Sequence, residues 1–91
     1  MELTRAHRHD IEAILREMPQ PNYDSLCNFL GLIQDERDIL TLRYRYRKFR
    51  PTREFVAEEL GMSTSTLDRH LKALLKRIDN FAQRLLLMLS L

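Results

Sequence analysis

The stretch GMSTSTLDRHL, from Gly61 to Leu71, combines one glycine, four short hydroxyl side chains and a run of helix-forming residues. Glycine readily adopts the left-handed backbone that ends a helix, and a serine before a periodic run is a helix start signal. The stretch therefore predicts a tight turn at Gly61, followed by a helix that Ser63 caps.

The residues before this glycine indicate a shorter helix that packs against the new one. Thr52 can cap a helix that runs through Leu60, and Ala57 is small enough to let two helices approach closely. Leu67, six residues after Gly61, can fill the groove between them. Two helices joined by a turn of about three residues that contains glycine are the signature of a helix-turn-helix. An ordinary helical hairpin is the alternative.

Length and composition predict an all-α fold. The chain has 91 residues, of which 44% are hydrophobic and 31% charged, with only two glycines and three prolines. These values favour one helical domain with a modest core. We predict four to five helices, including the helix-turn-helix and a long C-terminal helix. The predicted segments are N-terminal helices over 1–34, a helix-turn-helix core over 35–78 and an apolar C-terminal helix extension over 79–91.

Helical periodicity predicts which side chains face the core in the first three helices. The first helix runs from about Thr4 to Glu17, with Thr4 as its cap. The second is short and capped by Asn22, and the third begins near Asp35. The predicted inward residues are Ile11, Ile14, Leu15 and Met18, then Leu26, Phe29, Leu30 and Ile33 beside Tyr23 and Cys27, then Ile39, Leu40, Leu42 and Tyr44.

Several functional classes find no support in the sequence. A lone Cys27 cannot form an internal disulfide, which favours a reducing, cytoplasmic setting. His7 and His9 lack further ligands nearby, so we interpret them as surface residues rather than a metal site. No glycine-rich phosphate loop, metal-ligand set or activated nucleophile can be assembled. We expect neither enzymatic activity nor a cofactor. The longest apolar run, Leu85 to Leu89, is too short to span a bilayer.

The formal charge is divided unevenly along the chain. Met1 to Glu36 holds three basic and seven acidic residues, a net charge of −4, whereas Arg37 to Leu91 holds twelve and six, a net charge of +6. This asymmetry suggests that only the second part approaches a polyanion. Solvated helix faces with a chance imbalance are the alternative.

A basic run without acids precedes the helix-turn-helix. Its cations alternate with Tyr44, Tyr46 and Phe49 in the segment YRYRKFRP, which we predict to be a loop stopped by Pro51. Beside double-stranded DNA these cations would supply sequence-independent affinity through counterion release. The basic residues are Arg43, Arg45, Arg47, Lys48, Arg50 and Arg53.

The opening turns of the second motif helix carry the predicted base contacts. In a helix-turn-helix these turns face base edges in the major groove, where short hydroxyls can bond phosphates or bases. Arg69 could read guanine and Asp68 could accept from cytosine. Alternatively, Ser63 only caps the helix, Thr66 is half-buried and Asp68 pairs with a neighbouring basic side chain of the protein. The predicted DNA-binding residues are Arg47, Lys48, Arg50, Thr52, Ser63, Thr64, Ser65, Asp68, Arg69 and Lys72.

About half of the chain, Asp35 to Ile78, resembles the C-terminal promoter-recognition domain (region 4) of bacterial sigma factors. The segments that carry this resemblance are DERDILTLRYRY, TREFVAEELGMS and STSTLDRHLKALLKRI. The resemblance implies DNA contacts at Arg50, Thr52, Thr64, Ser65, Asp68, Arg69 and Lys72. It also implies a surface for RNA polymerase around Leu32 to Arg43.

We expect the chain to differ from a complete sigma factor in lacking the upstream domain that would bind core polymerase. It is similar to small stand-alone transcription regulators of phages and prophages. The resemblance therefore implies the cytoplasm of a bacterial or phage-infected cell.

An apolar heptad seam continues past the resemblance. Its positions are Leu71, Leu74, Ile78, Phe81, Leu85 and Met88, with Leu75, Ala82 and Leu89 beside them. The segment Phe81 to Leu91 is too apolar to be left exposed. It could fold against the first helix, or it could pair with a second copy that binds a two-fold operator.

We expect both arrangements together, in a homodimer interface formed by Ile11, Leu15, Phe81, Leu85 and Met88. A membrane-surface helix is less favoured, because Arg84 is the only cation in the last eleven residues.

Two functions therefore compete. The first is a sequence-specific DNA-binding transcription regulator. The alternative is an adaptor that binds RNA polymerase or a sigma factor and does not itself read DNA sequence.

Overall fold

Five helices make up most of residues 4–89, the part of the chain that a computed structural model describes. They are α1 (Arg5–Glu17), α2 (Gln20–Leu30), α3 (Gln34–Tyr44), α4 (Arg53–Glu59) and α5 (Thr64–Leu89). Across this range the structure contains no strand. The predicted all-α class, with five helices and a long C-terminal helix, is confirmed.

Three helix starts follow the predicted capping residues. The hydroxyl of Thr4 accepts a hydrogen bond from the backbone amide of His7, and that of Thr52 accepts from the amide of Phe55, each at 3.2 Å. The Ser63 hydroxyl accepts from the amide of Thr66 at 3.2 Å. Each bond satisfies an amide that has no partner within its own helix. These caps are therefore confirmed.

The start of α2 differs from the prediction. Asn22 is not a cap, because the helix begins at Gln20, with Pro19 at the cap position and Pro21 in the first turn. Proline is compatible with a first turn, since the amide it lacks would have no helical partner there. The helix ends at Gly31, whose φ of 65° is left-handed.

The first half of α5 is the centre of the core. The buried residues of the helix are Leu67, Leu71, Leu74, Leu75 and Ile78, and α5 as a whole contacts all four other helices. The other helices contribute Ile11, Leu15, Tyr23, Cys27, Ile39, Leu40, Tyr44, Val56 and Ala57. A single helix thus connects the turn at Gly61 to every layer of the fold.

Three residues predicted to face inward are exposed instead. Ile14, Phe29 and Ile33 are 59%, 75% and 62% exposed. On α1 the buried stripe includes Glu12 in place of Ile14, because the Tyr44 hydroxyl donates a 2.7 Å hydrogen bond to the Glu12 carboxylate.

The predicted homodimer interface is also partly wrong. Ile11 and Leu15 are only 7% and 1% exposed, since they pack inside the chain's own core. Leu85 and Met88 are exposed, so the end of α5 is not covered by α1.

Within the described range, no helix combines the length and apolar character that crossing a membrane requires.

Candidate nucleic-acid interface

The turn between α4 and α5 is closed by the backbone of Gly61. Its φ of 68° is left-handed. The amide of Met62 donates a hydrogen bond to the carbonyl of Ala57 at 2.9 Å, and the amide of Gly61 donates one to the carbonyl of Glu58 at 3.1 Å. This bond pattern ends a helix and reverses the chain direction. A Cβ on Gly61 would meet no atom within 4 Å, so the backbone conformation is what requires glycine here.

Beneath the turn, α4 and α5 pack through completely buried side chains. Val56, Ala57 and Leu67 are each at most 2% exposed. Ala57 and Leu67 are both buried, as the predicted packing of the two helices requires. Because these contacts are dry and closely packed, α4 fixes the position of the first turns of α5.

The opposite side of these first turns faces outward. Ser63, Ser65, Arg69 and Lys72 are exposed, whereas Thr64 and Thr66 are half-buried. Ser63 also donates to the Thr66 hydroxyl at 3.0 Å, and Arg69 donates to the same hydroxyl at 3.4 Å. Ser63 therefore acts as a cap in the unbound chain, and Arg69 is oriented along the exposed face.

Asp68 forms an ion pair with the neighbouring helix. Its Oδ2 lies 2.5 Å from Nη1 of Arg53, the first residue of α4. Both side chains are about half exposed, at 50% for Arg53 and 41% for Asp68. In the unbound chain, Asp68 therefore pairs with a basic side chain of the protein, which is one of its two predicted roles.

Two cations of the basic run support the fold. Arg45 is buried, and its guanidinium donates to the carbonyls of Leu15 and Met18 at 3.0 and 2.9 Å and to the Gln20 side chain at 3.0 Å. The expectation that Arg45 lies beside DNA is therefore wrong, because its charge is used to hold the corner between α1 and α2. Arg43 is half-buried and donates to the Pro51 carbonyl at 3.1 Å.

The loop between α3 and α4 is anchored by aromatic side chains. The ring centroids of Tyr46 and Phe49 lie 4.9 Å apart, and Phe55 of α4 lies 5.1 Å from Phe49 and 6.0 Å from Tyr46. Such edge-to-face and tilted contacts are favourable for aromatic pairs. They hold the loop against α4, while Arg47, Lys48 and Arg50 remain exposed.

The end of α1 adds an arginine to this loop. Nη1 of Arg47 donates to the backbone carbonyl of Arg16 at 3.3 Å. The guanidinium carbons of Arg16 and Arg43 lie 5.4 and 5.6 Å from the centroid of the Tyr44 ring. We call Arg16, Arg43, Arg47 and Arg50 the arginine cluster.

Two members of the arginine cluster, Arg50 and Arg43, act electrostatically on Arg16. Burial lowers the pKa of Arg16, and the positive charges of Arg50 and Arg43 lower it further, against the opposite effect of Glu12. Sequence reasoning missed Arg16 because it belongs to the acidic first part of the chain. No local signal marks it, since only the fold brings the end of α1 to the loop.

A short series of contacts connects the arginine cluster to α5. Arg43 bonds the carbonyl of Pro51, which precedes the cap residue Thr52, and Arg53 then pairs with Asp68. The cluster and the exposed face of α5 therefore flank the start of α4.

The chain was compared with protein-family models, with curated proteins and with solved structures, and none of them matches it.

Proposed function

We propose that this chain is a non-enzymatic, sequence-specific regulator of transcription that inserts the first turns of α5 into the major groove of double-stranded DNA. The observation that carries the proposal is the corner at Gly61. It buries Val56, Ala57 and Leu67 on one side and exposes Ser65 and Arg69 on the other. A recognition helix needs this combination of rigid support and a short polar leading face.

We assign base reading to Arg69 and to the residues around it. A guanidinium can donate two hydrogen bonds to the major-groove edge of guanine. The hydroxyls of Thr64 and Ser65 are short enough to reach phosphates or bases while the helix stays deep in the groove. Oδ1 of Asp68 is assigned to the amino group of cytosine, while Oδ2 keeps its bond to Arg53.

We assign contact with the DNA phosphates to Arg16, Arg47, Arg50, Lys48 and Lys72, with the hydroxyls of Thr52 and Ser63 beside them. Like charges held within each other's field repel, and a phosphate between them relieves that repulsion. Each phosphate that a cation neutralises also releases a condensed counterion. In this proposal Arg16 is a DNA contact that lies outside the helix-turn-helix.

The alternative function, an adaptor for RNA polymerase or a sigma factor, is supported by a different surface. A depression of about 320 Å³ lies between the start of α3 and the turn before α5, and it is lined by Ile33, Ile39, Leu60, Met62, Asp35, Glu36, Asp38 and His70. A lining that combines apolar and acidic side chains would suit a partner segment that carries apolar and basic residues. Both functions belong in the cytoplasm of a bacterial or phage-infected cell, which is part of the proposal.

Selection of duplexes from a random DNA library, followed by gel-shift competition, separates the two functions. A regulator that reads sequence should prefer its selected site to random duplex by about a thousandfold or more. Equally weak binding to every duplex would contradict the proposal and favour the adaptor.

A further inference from the structure

The last part of α5 extends beyond the core. Ile78 is the last buried residue of this helix, and residues 79–89, which we call the overhang, continue for about 16 Å at 1.5 Å per residue. Leu85, Leu87, Met88 and Leu89 are 44%, 67%, 71% and 83% exposed. A surface of this kind is unusual for a helix that acts alone.

The exposed side chains continue a face that is already used for packing. Leu74 and Ile78 are buried in the core, and Phe81, Leu85 and Met88 follow them at spacings of three and four residues. Residues at these spacings lie on one side of a helix. The overhang therefore presents the second half of an apolar seam whose first half is covered by the chain itself.

An apolar groove lies beside this seam. Phe29 of α2 stacks on Phe81 with 5.9 Å between ring centroids, yet it remains 75% exposed. Together with Met18, Leu26 and Leu85, the two rings line an open groove of about 600 Å³ between α2 and the overhang. The molecule thus presents an apolar ridge and an apolar groove side by side.

We propose that a second copy of this chain occupies the groove, so that each overhang lies in the groove of the other copy. A contact in which the same ridge and groove serve both partners closes with two-fold symmetry and covers both surfaces at once. This inference goes beyond the DNA-binding function and does not depend on it.

The exposed area is sufficient for such a pair. At roughly 150 Å² for a large side chain, the exposed fractions of Phe29 and of the five residues from Leu85 to Leu89 amount to about 600 Å² per chain. Two chains that cover most of this area bury about 1,000 Å², which is the lower bound for a specific interface. For a monomer, the same patch would lie at the upper end of the usual range for the largest apolar patch, about 300–600 Å².

The charge of the overhang favours another copy over a lipid surface. Between Phe81 and Leu89 the only charged residue is Arg84. Helices that lie on membranes carry several cations on a polar face. A partner with an equally uncharged apolar surface, which the chain itself supplies, fits better.

Sedimentation equilibrium of the full chain tests the proposal. We expect the wild type to have twice the single-chain mass of 10.9 kDa. Phe29→Asp places a charge in the groove without touching the core, and it should raise the dissociation constant at least about tenfold. Ile33→Asp is the matched control, because Ile33 is also a large exposed residue but lies outside the groove. It should dimerise like the wild type, and circular dichroism should show equal helix content in all three proteins.

Three results would overturn the inference. They are a wild type that stays at 10.9 kDa at about 100 µM, a Phe29→Asp variant that dimerises like the wild type, and sedimentation of monomers with phosphatidylcholine or phosphatidylglycerol vesicles. A monomeric wild type that still selects a DNA motif would end the dimer and leave the DNA-binding function standing.

Discussion

Neighbouring arginines of one basic run have different roles. Arg45 and Arg47 carry the same charge and lie on either side of Tyr46 in the sequence. Arg45 is buried against the carbonyls that end α1, whereas Arg47 is exposed. The sequence could not distinguish them, because the acceptors of Arg45 lie about 30 residues earlier in the chain.

Removing the guanidinium of Arg45 should destabilise the fold. Arg45→Ala leaves the carbonyls of Leu15 and Met18 without these donors, and we expect the free energy of unfolding to fall by about 2–4 kcal/mol. Arg47→Ala, two positions away, should change it by less than about 0.5 kcal/mol. Urea unfolding followed by circular dichroism measures both. Equal losses for the two variants would mean that the buried contacts of Arg45 contribute no more to the free energy of unfolding than the exposed side chain of Arg47.

Arg69 is the residue whose replacement tests base reading. Arg69→Ala should cost about 1–3 kcal/mol at the selected site and relax the preference at one base position. Arg5→Ala is the control, since it removes an exposed arginine that belongs neither to α5 nor to the arginine cluster. Competition binding with single-base variants of the site gives the answer. A loss that is equal for selected and random duplex would remove Arg69 from base recognition.

At the scale of elements, local signals were sufficient at three of the four predicted caps, all but Asn22. The caps at Thr4, Thr52 and Ser63 and the glycine of the turn act within a few residues, so the sequence predicted them correctly. The exposure of Ile14 and Phe29 depends on how whole helices pack, and periodicity alone assigned both to the core.

The turn at Gly61 should depend on backbone freedom rather than on space. Gly61→Ala forces a Cβ into the left-handed region, and we expect a loss of about 1 kcal/mol in the free energy of unfolding. Gly61→Asn should cost less, because asparagine tolerates this conformation better than alanine. Thermal unfolding of the three proteins would show the order. An alanine variant as stable as the wild type would mean that the turn can adopt another conformation.

At the scale of the whole molecule, the candidate interface is assembled from distant segments. Its parts come from the end of α1, the loop before α4 and the start of α5. The division of charge along the sequence suggested that the first part stays away from a polyanion. In the fold, Arg16 of that acidic part lies within the field of Arg43 and Arg50, so charge division along the chain is not division in space.

The salt dependence of DNA affinity tests this assembled surface. Replacing both Arg47 and Lys48 with alanine should reduce the slope of log affinity against log salt by about 1.8, and Arg16→Ala alone should reduce it by about 0.9. Binding to random duplex over a range of salt concentrations measures these changes. An unchanged slope for Arg16→Ala would confine the interface to the loop and α5.

Because α5 is one continuous helix, the positions of its two ends are fixed relative to each other. The helix runs for 26 residues, about 39 Å, without a glycine or proline, from the proposed base-reading turn to the overhang. Two copies joined at their overhangs would therefore hold the base-reading turns of their α5 helices at a fixed separation, unlike domains joined by a flexible linker. An operator lengthened by half a helical turn, about five base pairs, would present its second half-site on the wrong side of the duplex. Such a protein would distinguish operators by the helical phase between their two half-sites as well as by the half-site sequences.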